Sequence, residues 1–131
     1  MISKSVNLVW QKINTDDIQE NELMMSPDFF FEKIDVCDIL EQSENEELFQ
    51  NVCNKITSNG KIVIRGVDGV AISSMVSNGD LNIDALNDLM KKIKRFNSLV
   101  KFKQFFVENN WRIDYAGYTD GYRYIIEAIK P

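Results

Sequence analysis

A short apolar run near the middle of the chain constrains the fold most strongly. Residues 61–67 hold three consecutive β-branched aliphatic residues and no proline. Such a run predicts a central strand that is buried on both faces, which is typical of parallel sheets. The dipeptide Asn59-Gly60 predicts a turn before this strand, and a helical pattern precedes the turn. Helix, turn and buried strand make half of a crossover unit, so we expect an α/β protein.

The helix before this strand is expected to begin at Ser43. Ser43 and Glu46 have the spacing of a capping box, and Gly60 would end the helix as a left-handed cap. Apolar residues recur on one face of this segment at Phe49, Val52, Cys53 and Ile56. Three later helical segments are predicted: a short helix within a loop at 68–79, and helices at 83–93 and at 97–109, the last capped by Asn97 or Ser98.

The remaining strands are predicted from alternating or apolar segments bounded by polar residues. Asp120-Gly121 predicts a hairpin between the last two of them. Ile39 and Leu40 extend the apolar character of the second strand, whereas residues 12–28 are polar and irregular. The predicted strands are 6–10, 32–37, 111–118 and 122–129.

Composition excludes several kinds of site. The chain has 131 residues, which suggests a single domain spanning 1–131. It has no histidine, which removes Ser-His and Cys-His catalysis, and no metal site is expected. Its two cysteines, Cys37 and Cys53, are expected to be small buried residues. No apolar run is long enough to cross a membrane, and we expect a cytoplasmic location.

Charge is distributed unevenly along the chain. Residues 1–50 hold 12 acidic and 3 basic side chains, whereas residues 51–131 hold 8 acidic and 12 basic ones. Residues 91–103 hold six basic side chains and no acidic one, with phenylalanines interleaved. Such a run can bind nucleic acid, but a solvated helix face is the more common outcome, and the net charge of −5 argues against nucleic-acid binding by this chain.

The order of elements from residue 32 onward resembles the C-terminal half of class I S-adenosylmethionine-dependent methyltransferases. Residues 34–41 (IDVCDILE) resemble the fourth strand of that family and its acidic turn, and residues 59–68 (NGKIVIRGVD) resemble the fifth strand. Residues 109–113 (NNWRI) and 124–131 (YIIEAIKP) resemble the sixth and seventh strands. The resemblance implies a truncated doubly wound, Rossmann-like sheet, mostly parallel, with a C-terminal antiparallel hairpin.

The same resemblance implies S-adenosylmethionine as the cofactor, held by a glycine-rich loop after the first strand. The chain has six glycines, and none lies in the first 59 residues. Backbone without glycine cannot approach a cofactor as closely as that loop does. We therefore expect the cofactor site to be degenerate or absent, or to be completed by another chain.

Candidate site residues follow the second and the central strands. Asp35, Asp38 and Glu41 come at the end of one strand, and Arg65 and Asp68 at the end of the next. Ligands of open α/β sheets bind outside the carboxyl ends of the strands. Asp38 and Asp68 are therefore candidate catalytic bases, and Asp35, Glu41 and Arg65 candidate substrate-binding residues. The alternative is that these side chains only cap helices and turns.

Three functional hypotheses remain open from the sequence. The first is a methyltransferase-like protein with a degenerate S-adenosylmethionine site that acts with a partner enzyme or as a homodimer. The second is a non-catalytic relative, a pseudoenzyme, that binds a partner. The third is a small-molecule-binding module. Fold alone does not decide among them.

Overall fold

The computed structural model describes residues 4–119 and 121–131. Their strands form one six-stranded sheet with the order β2-β1-β3-β4-β6-β5. The strands are β1 (Lys4–Leu8), β2 (Asp17–Ile18), β3 (Phe31–Cys37), β4 (Ile56–Val67), β5 (Arg112–Thr119) and β6 (Arg123–Ile129). The helices are α1 (Glu20–Met25), α2 (Ile39–Gln42), α3 (Leu48–Lys55), α4 (Gly69–Ser77), α5 (Ile83–Met90) and α6 (Leu99–Glu108).

The sheet confirms the predicted fold class. Strands β2, β1, β3 and β4 pair in parallel, whereas β6 pairs antiparallel with both β4 and β5. The run at Ile62, Val63 and Ile64 lies in β4 and is buried on both faces, as expected for a central strand. The chain therefore has a mostly parallel α/β sheet with an antiparallel C-terminal hairpin. The Asp120 position of the predicted hairpin turn lies outside the described residues.

One face of the sheet carries the main apolar core. Helix α6 packs against β5 and β6, and α3 packs against β4. Phe106 is fully buried and its ring centroid lies 5.0 Å from that of Trp111 and 5.9 Å from that of Phe49. Phe102 stacks at 5.6 Å on the ring of Tyr124, which joins α6 to the middle of the sheet. Aromatic pairs of this kind add stability beyond the area that they bury.

The opposite face of the sheet carries ion pairs that connect neighbouring strands. Arg65 on β4 pairs with Asp35 on β3 at 3.1 Å, and Lys61 pairs with Glu127 on β6 at 2.9 Å. Their side chains flank Val63, whose cross-strand neighbours are Asp35 and Glu127. This face is therefore amphipathic rather than uniformly apolar. No helix in the described residues is long and apolar enough to cross a membrane.

The predicted start of the helix at Ser43 is wrong. Ser43 ends α2, because its N–H donates to the carbonyl of Ile39 at 2.8 Å. Its hydroxyl donates to Glu20 at 2.6 Å and accepts the N–H of Asn45, so it cannot cap α3. Helix α3 instead begins after Glu47. Ile39 and Leu40, predicted to extend the second strand, lie in α2.

The predicted helix end at Gly60 is also wrong. Helix α3 ends at Lys55, and the chain pairs with β3 from Ile56 onward. Asn59, not Gly60, takes the left-handed conformation, with φ 65°. Gly60 is needed for a different reason: a Cβ there would lie 2.6 Å from Ile56 Cγ2 and 2.9 Å from the carbonyl of Glu32. Close packing between strands, rather than helix capping, accounts for this glycine.

Two smaller expectations also differ from the structure. Residues 12–28 are not irregular throughout, since they contain β2 and α1. Cys53 is buried as expected, but Cys37 is exposed, because it alternates with buried Val36 along β3.

Candidate functional site

The acidic residues singled out from the sequence meet around one tyrosine. Tyr124 of β6 is fully buried, and burial raises the pKa of its hydroxyl far above the usual range. The carboxylates of Glu41, Asp38 and Asp68 raise that pKa further because all three lie near the hydroxyl. The three acids therefore belong to one end of the sheet, beyond the carboxyl ends of β3 and β4, where open α/β sheets bind ligands.

Glu41 is at the centre of this group. Its carboxylate accepts the N–H of Val67 at 3.1 Å and the side-chain amide of Asn97 at 2.9 Å. The hydroxyl of Tyr124 donates to it from 3.3 and 3.4 Å. Glu41 is only 1% exposed, and burial raises its pKa from 4.5 to about 7 despite these bonds. The carboxyl group thus joins α2, β4, β6 and the segment before α6 in one buried network.

Gly66 leaves the space that this carboxyl group fills. A Cβ at residue 66 would lie 1.6 Å from Glu41 Oε1 and 3.0 Å from the Tyr124 hydroxyl. Gly66 lies within β4 and allows a side chain of the same protein to approach the strand.

Asp68 is buried and both of its carboxylate oxygens are occupied. Oδ1 accepts the N–H of Ala71 at 2.9 Å and caps α4, while Oδ2 accepts the N–H of Leu99 at 2.7 Å at the start of α6. The Tyr118 hydroxyl is a further neighbour, and its pKa is raised by burial and by this carboxylate. Asp68 therefore orients two helices. The catalytic role considered for it stays a prediction.

Asp38 is held by an arginine that the sequence reading did not single out. Nη2 of Arg123 donates to both oxygens of Asp38 at 2.7 Å. The pKa of Arg123 is raised, chiefly by this hydrogen bond. Asp38 itself has a left-handed backbone, with φ 64°, at the junction of β3 and α2. The pair is about one third exposed on each side, so Asp38 can be reached from solvent.

Asp35 and Arg65 lie apart from this buried group. Both are strand residues, and they pair with each other on the charged face of the sheet rather than beyond its edge. Their proposed role in substrate binding stays a prediction. Among the described residues, no three histidine, cysteine, aspartate or glutamate side chains are grouped as a metal ion would require.

The connection after β1 has no helix and no glycine. Residues 9–16 return directly to β2, which pairs in parallel with β1. Asp17 holds this loop by accepting the N–H groups of Ile13 at 3.0 Å and Asn14 at 2.9 Å. These bonds, with that of Asn14 the strongest, lower the pKa of Asp17. Hydrogen bonds to the Asp17 carboxylate therefore hold the loop in place.

Side chains line the space beside this loop. The indole N–H of Trp10 donates to Gln42 Oε1 at 3.0 Å, and the side-chain amide of Gln19 donates to the carbonyl of Trp10 at 2.7 Å. A pocket of about 390 Å³ lies next to them. Its lining includes Glu20, Glu44 and Lys94.

Solved methyltransferase structures share this fold at low sequence identity. A putative S-adenosylmethionine-dependent methyltransferase of Listeria monocytogenes matches with a TM-score of 0.62 and 11% identity, over 92% of this chain and 72% of that one. The DszA carbon methyltransferase matches with a TM-score of 0.51 and 14% identity, over 87% of this chain and 32% of that one. A complex of the Haloferax volcanii Trm112 methyltransferase activator with a putative methyltransferase matches with a TM-score of 0.56 and 7% identity, over 92% of this chain and 64% of that one.

These likenesses define the class of the protein: it has a class I methyltransferase-like fold. Within that class, the chain spans only 32% to 72% of the length of the structures just described. No protein-family model and no curated protein matches it.

Sequence reasoning missed three members of the site, Tyr124, Asn97 and Arg123. Tyr124 was recognised only as part of an alternating strand and Asn97 only as a candidate cap. Their contacts to residues 41 and 38 join positions 56 to 85 residues apart, and no local pattern signals such a pairing.

Proposed function

We propose that this chain is a methyltransferase-like protein that does not hold S-adenosylmethionine by itself and that acts with a second chain. The connection after β1 is the observation that carries the proposal. A helix N-terminus and glycine backbone at that place are what bring a nucleotide cofactor close to the sheet. Here the loop bonds to Asp17 and the adjoining space holds Trp10 and Gln42. These residues do not fit the cofactor.

The candidate bases support a non-catalytic reading. A general base must lie within hydrogen-bond reach of the proton that it takes from the substrate. Asp68 has both oxygens bonded to backbone N–H groups, and Asp38 has both bonded to Arg123. Glu41 lies buried among its own partners. We therefore expect a pseudoenzyme, and its cytoplasmic location stays a prediction.

Titration calorimetry with S-adenosylmethionine and S-adenosylhomocysteine tests the first part of the proposal. We expect no binding at sub-millimolar concentrations of either compound, because the β1 connection has no helix and no glycine and the N–H groups of Ile13 and Asn14 are bonded to Asp17. Binding with a sub-millimolar dissociation constant would contradict this. In that event the dissociation constants of Asp38→Asn and of the exposed control Asp16→Asn should be compared, since a weaker affinity of Asp38→Asn alone would place the compound at the end of β3.

A second copy of the chain is the partner that the sheet edge favours. Strand β5 is an edge of eight residues, whereas β2 at the other edge has only two. Tyr115 and Tyr118 on β5 are each about half exposed. Long edges with unpaired backbone groups pair readily with another strand, and a closed dimer is the simplest assembly that covers them. A methyltransferase bound to an activator protein also occurs among the matching structures.

Sedimentation velocity tests this assembly. We expect a dimer at tens of micromolar, and we expect Tyr115→Lys to shift it to monomer because a lysine on an edge strand opposes pairing with a like-charged copy. Gln104→Lys, which places the same charge on the exposed side of α6, should leave the dimer intact. A monomeric parent chain at these concentrations would remove the support for self-association.

A further inference from the structure

We propose that the cavity between α4, α5 and the start of α6 binds an amphipathic organic anion, a molecule with an apolar body and one acidic group. The cavity has a volume of about 600 Å³. Small-molecule sites have volumes of roughly 300–1,000 Å³ and are lined mainly by apolar side chains. None of its lining residues belongs to the connection after β1. The site is independent of the function proposed above.

The lining of the cavity is apolar and faces solvent. Four large apolar side chains in it are at least 40% exposed: Val70, Val76, Met90 and Phe96. Single exposed apolar residues are ordinary, but a group of them around one cavity marks a surface that gains free energy when it is covered. An apolar ligand body in this space would remove that surface from water.

Helix α5 strengthens the case for an apolar occupant. It begins at a cap in which the side chain of Asn82 accepts the N–H of Ala85 at 2.8 Å. Its apolar residues recur at helical spacing, yet none of its residues is buried. An amphipathic helix normally covers its apolar stripe by packing on a core. Leu86 and Met90 instead line the cavity, so the stripe of α5 faces space that a ligand can fill.

The polar and charged residues of the lining indicate that the ligand carries an acidic group. Ser73 donates to the carbonyl of Gly69 at 2.9 Å, and the side-chain amide of Asn97 donates to Glu41 at 2.9 Å. The hydroxyl of Ser98 accepts the N–H of Lys101. These three polar groups already have partners within the protein. The ammonium group of Lys101 is the one charged group among the described lining residues.

Lys101 lies in surroundings that favour an anion. No ion pair of its side chain is found among the described residues, and the segment 91–103 holds no acidic residue. Lys101 also borders a neighbouring pocket of about 300 Å³ that contains Arg95. Glu46 also lines that pocket, and a single carboxylate does not cancel two cations. The buried carboxylates of Glu41 and Asp68 are the other acidic groups beside the cavity, and both already accept hydrogen bonds from the protein, from Asn97 and from the N–H of Leu99.

Calorimetric titration with decanoate, and with decanol as its neutral counterpart, tests the site. Decanoate should bind more tightly than decanol. Lys101→Ala should weaken decanoate binding about three- to tenfold, as expected for one partly exposed charged contact, and leave decanol unchanged. Lys103→Ala is the matched control, because Lys103 is exposed on the same helix outside the cavity. It should bind decanoate like the parent chain.

A second variant and a spectrum locate the ligand. Ser73→Trp places an indole into the cavity and should abolish binding of both compounds. If that variant fails to fold, NMR chemical-shift changes of the backbone amides of the parent chain during titration locate the ligand instead. The largest changes should centre on Ile72, Val76 and Leu86. The proposal is overturned if decanoate does not bind, if Lys101→Ala and Lys103→Ala act alike, or if the shifts lie elsewhere. The proposal is also overturned if a second copy of the chain or a partner protein, rather than decanoate, covers these amides.

Discussion

Gly66→Ala is expected to destabilise the protein by about 2 to 4 kcal/mol, the combined cost of overpacking and of breaking buried hydrogen bonds. The new Cβ would lie 1.6 Å from Glu41 Oε1, so the carboxyl group has to move. A side-chain end on the surface could move at little cost, but this one is 1% exposed and bonded to Val67, Asn97 and Tyr124. Displacing it leaves those donors without their acceptor. Urea unfolding followed by circular dichroism measures the loss.

Gly117→Ala is the matched control for this substitution. It is also a strand glycine, and the nearest atom to its Cβ would be the hydroxyl oxygen of Tyr115 at 3.1 Å. That side chain is half exposed and can turn away, so we expect a loss of less than about 1 kcal/mol. The double variant Gly66→Ala, Glu41→Ala should lose less stability than the two single variants lose together, because removal of the carboxyl group removes the clash. If Gly66→Ala unfolds with the same urea midpoint as the parent chain, this account of the site is refuted.

The free energy of unfolding is expected to fall as pH rises from 4.5 to 7, and Glu41→Gln should abolish that fall. The pKa of Glu41 is raised to about 7 in the folded protein from 4.5, so the native state holds a proton that the unfolded chain has already lost. The contribution of Glu41 is therefore greatest below pH 4.5 and declines until pH 7, by about 3 kcal/mol. Above pH 7 the buried charge is present in full and the contribution stays constant.

Glutamine resembles the protonated form of Glu41 in shape and charge. Glu41→Gln should therefore match the parent chain near pH 4.5 and exceed its stability at pH 8 by about 2 to 3 kcal/mol. The side-chain amide of Asn97 can rotate and the Tyr124 hydroxyl can accept a hydrogen bond, so the glutamine side chain can find hydrogen-bond partners. Glu46→Gln serves as the control, since Glu46 is exposed. Parallel pH profiles of the parent and Glu41→Gln would contradict the assigned pKa.

The parts of the fold that depend on local pattern were predictable from the sequence. The β-branched run at 62–64 specified a buried central strand. Asn97 or Ser98 was expected to cap α6, and Ser98 does so, since its side chain accepts the N–H of Lys101. The order of strand, helix and hairpin was sufficient to identify the class of fold. Periodicity and capping are properties of neighbouring residues, so a sequence displays them directly.

The errors arose where distant residues decide the local structure. Ser43 has the spacing of a helix cap, but its hydroxyl bonds to Glu20, 23 positions earlier. Gly60 follows a helical pattern, but the strand begins at Ile56 because pairing with Phe31 outweighs the preference for one more helical turn. Glu41 lies just beyond the end of β3 as expected, but no local pattern indicated its partners at 67, 97 and 124, which come from three other segments.

The strand order has a consequence for synthesis of the protein on the ribosome. Strand β6 is translated after the other five strands of this sheet, yet it lies inside the sheet between β4 and β5. Until residues 123–129 have left the exit tunnel, β4 exposes an unpaired edge, and β5 has no strand to join. The nascent chain must therefore keep the apolar run of β4 from aggregating during elongation, and the sheet can be completed only after residues 123–129 have left the tunnel.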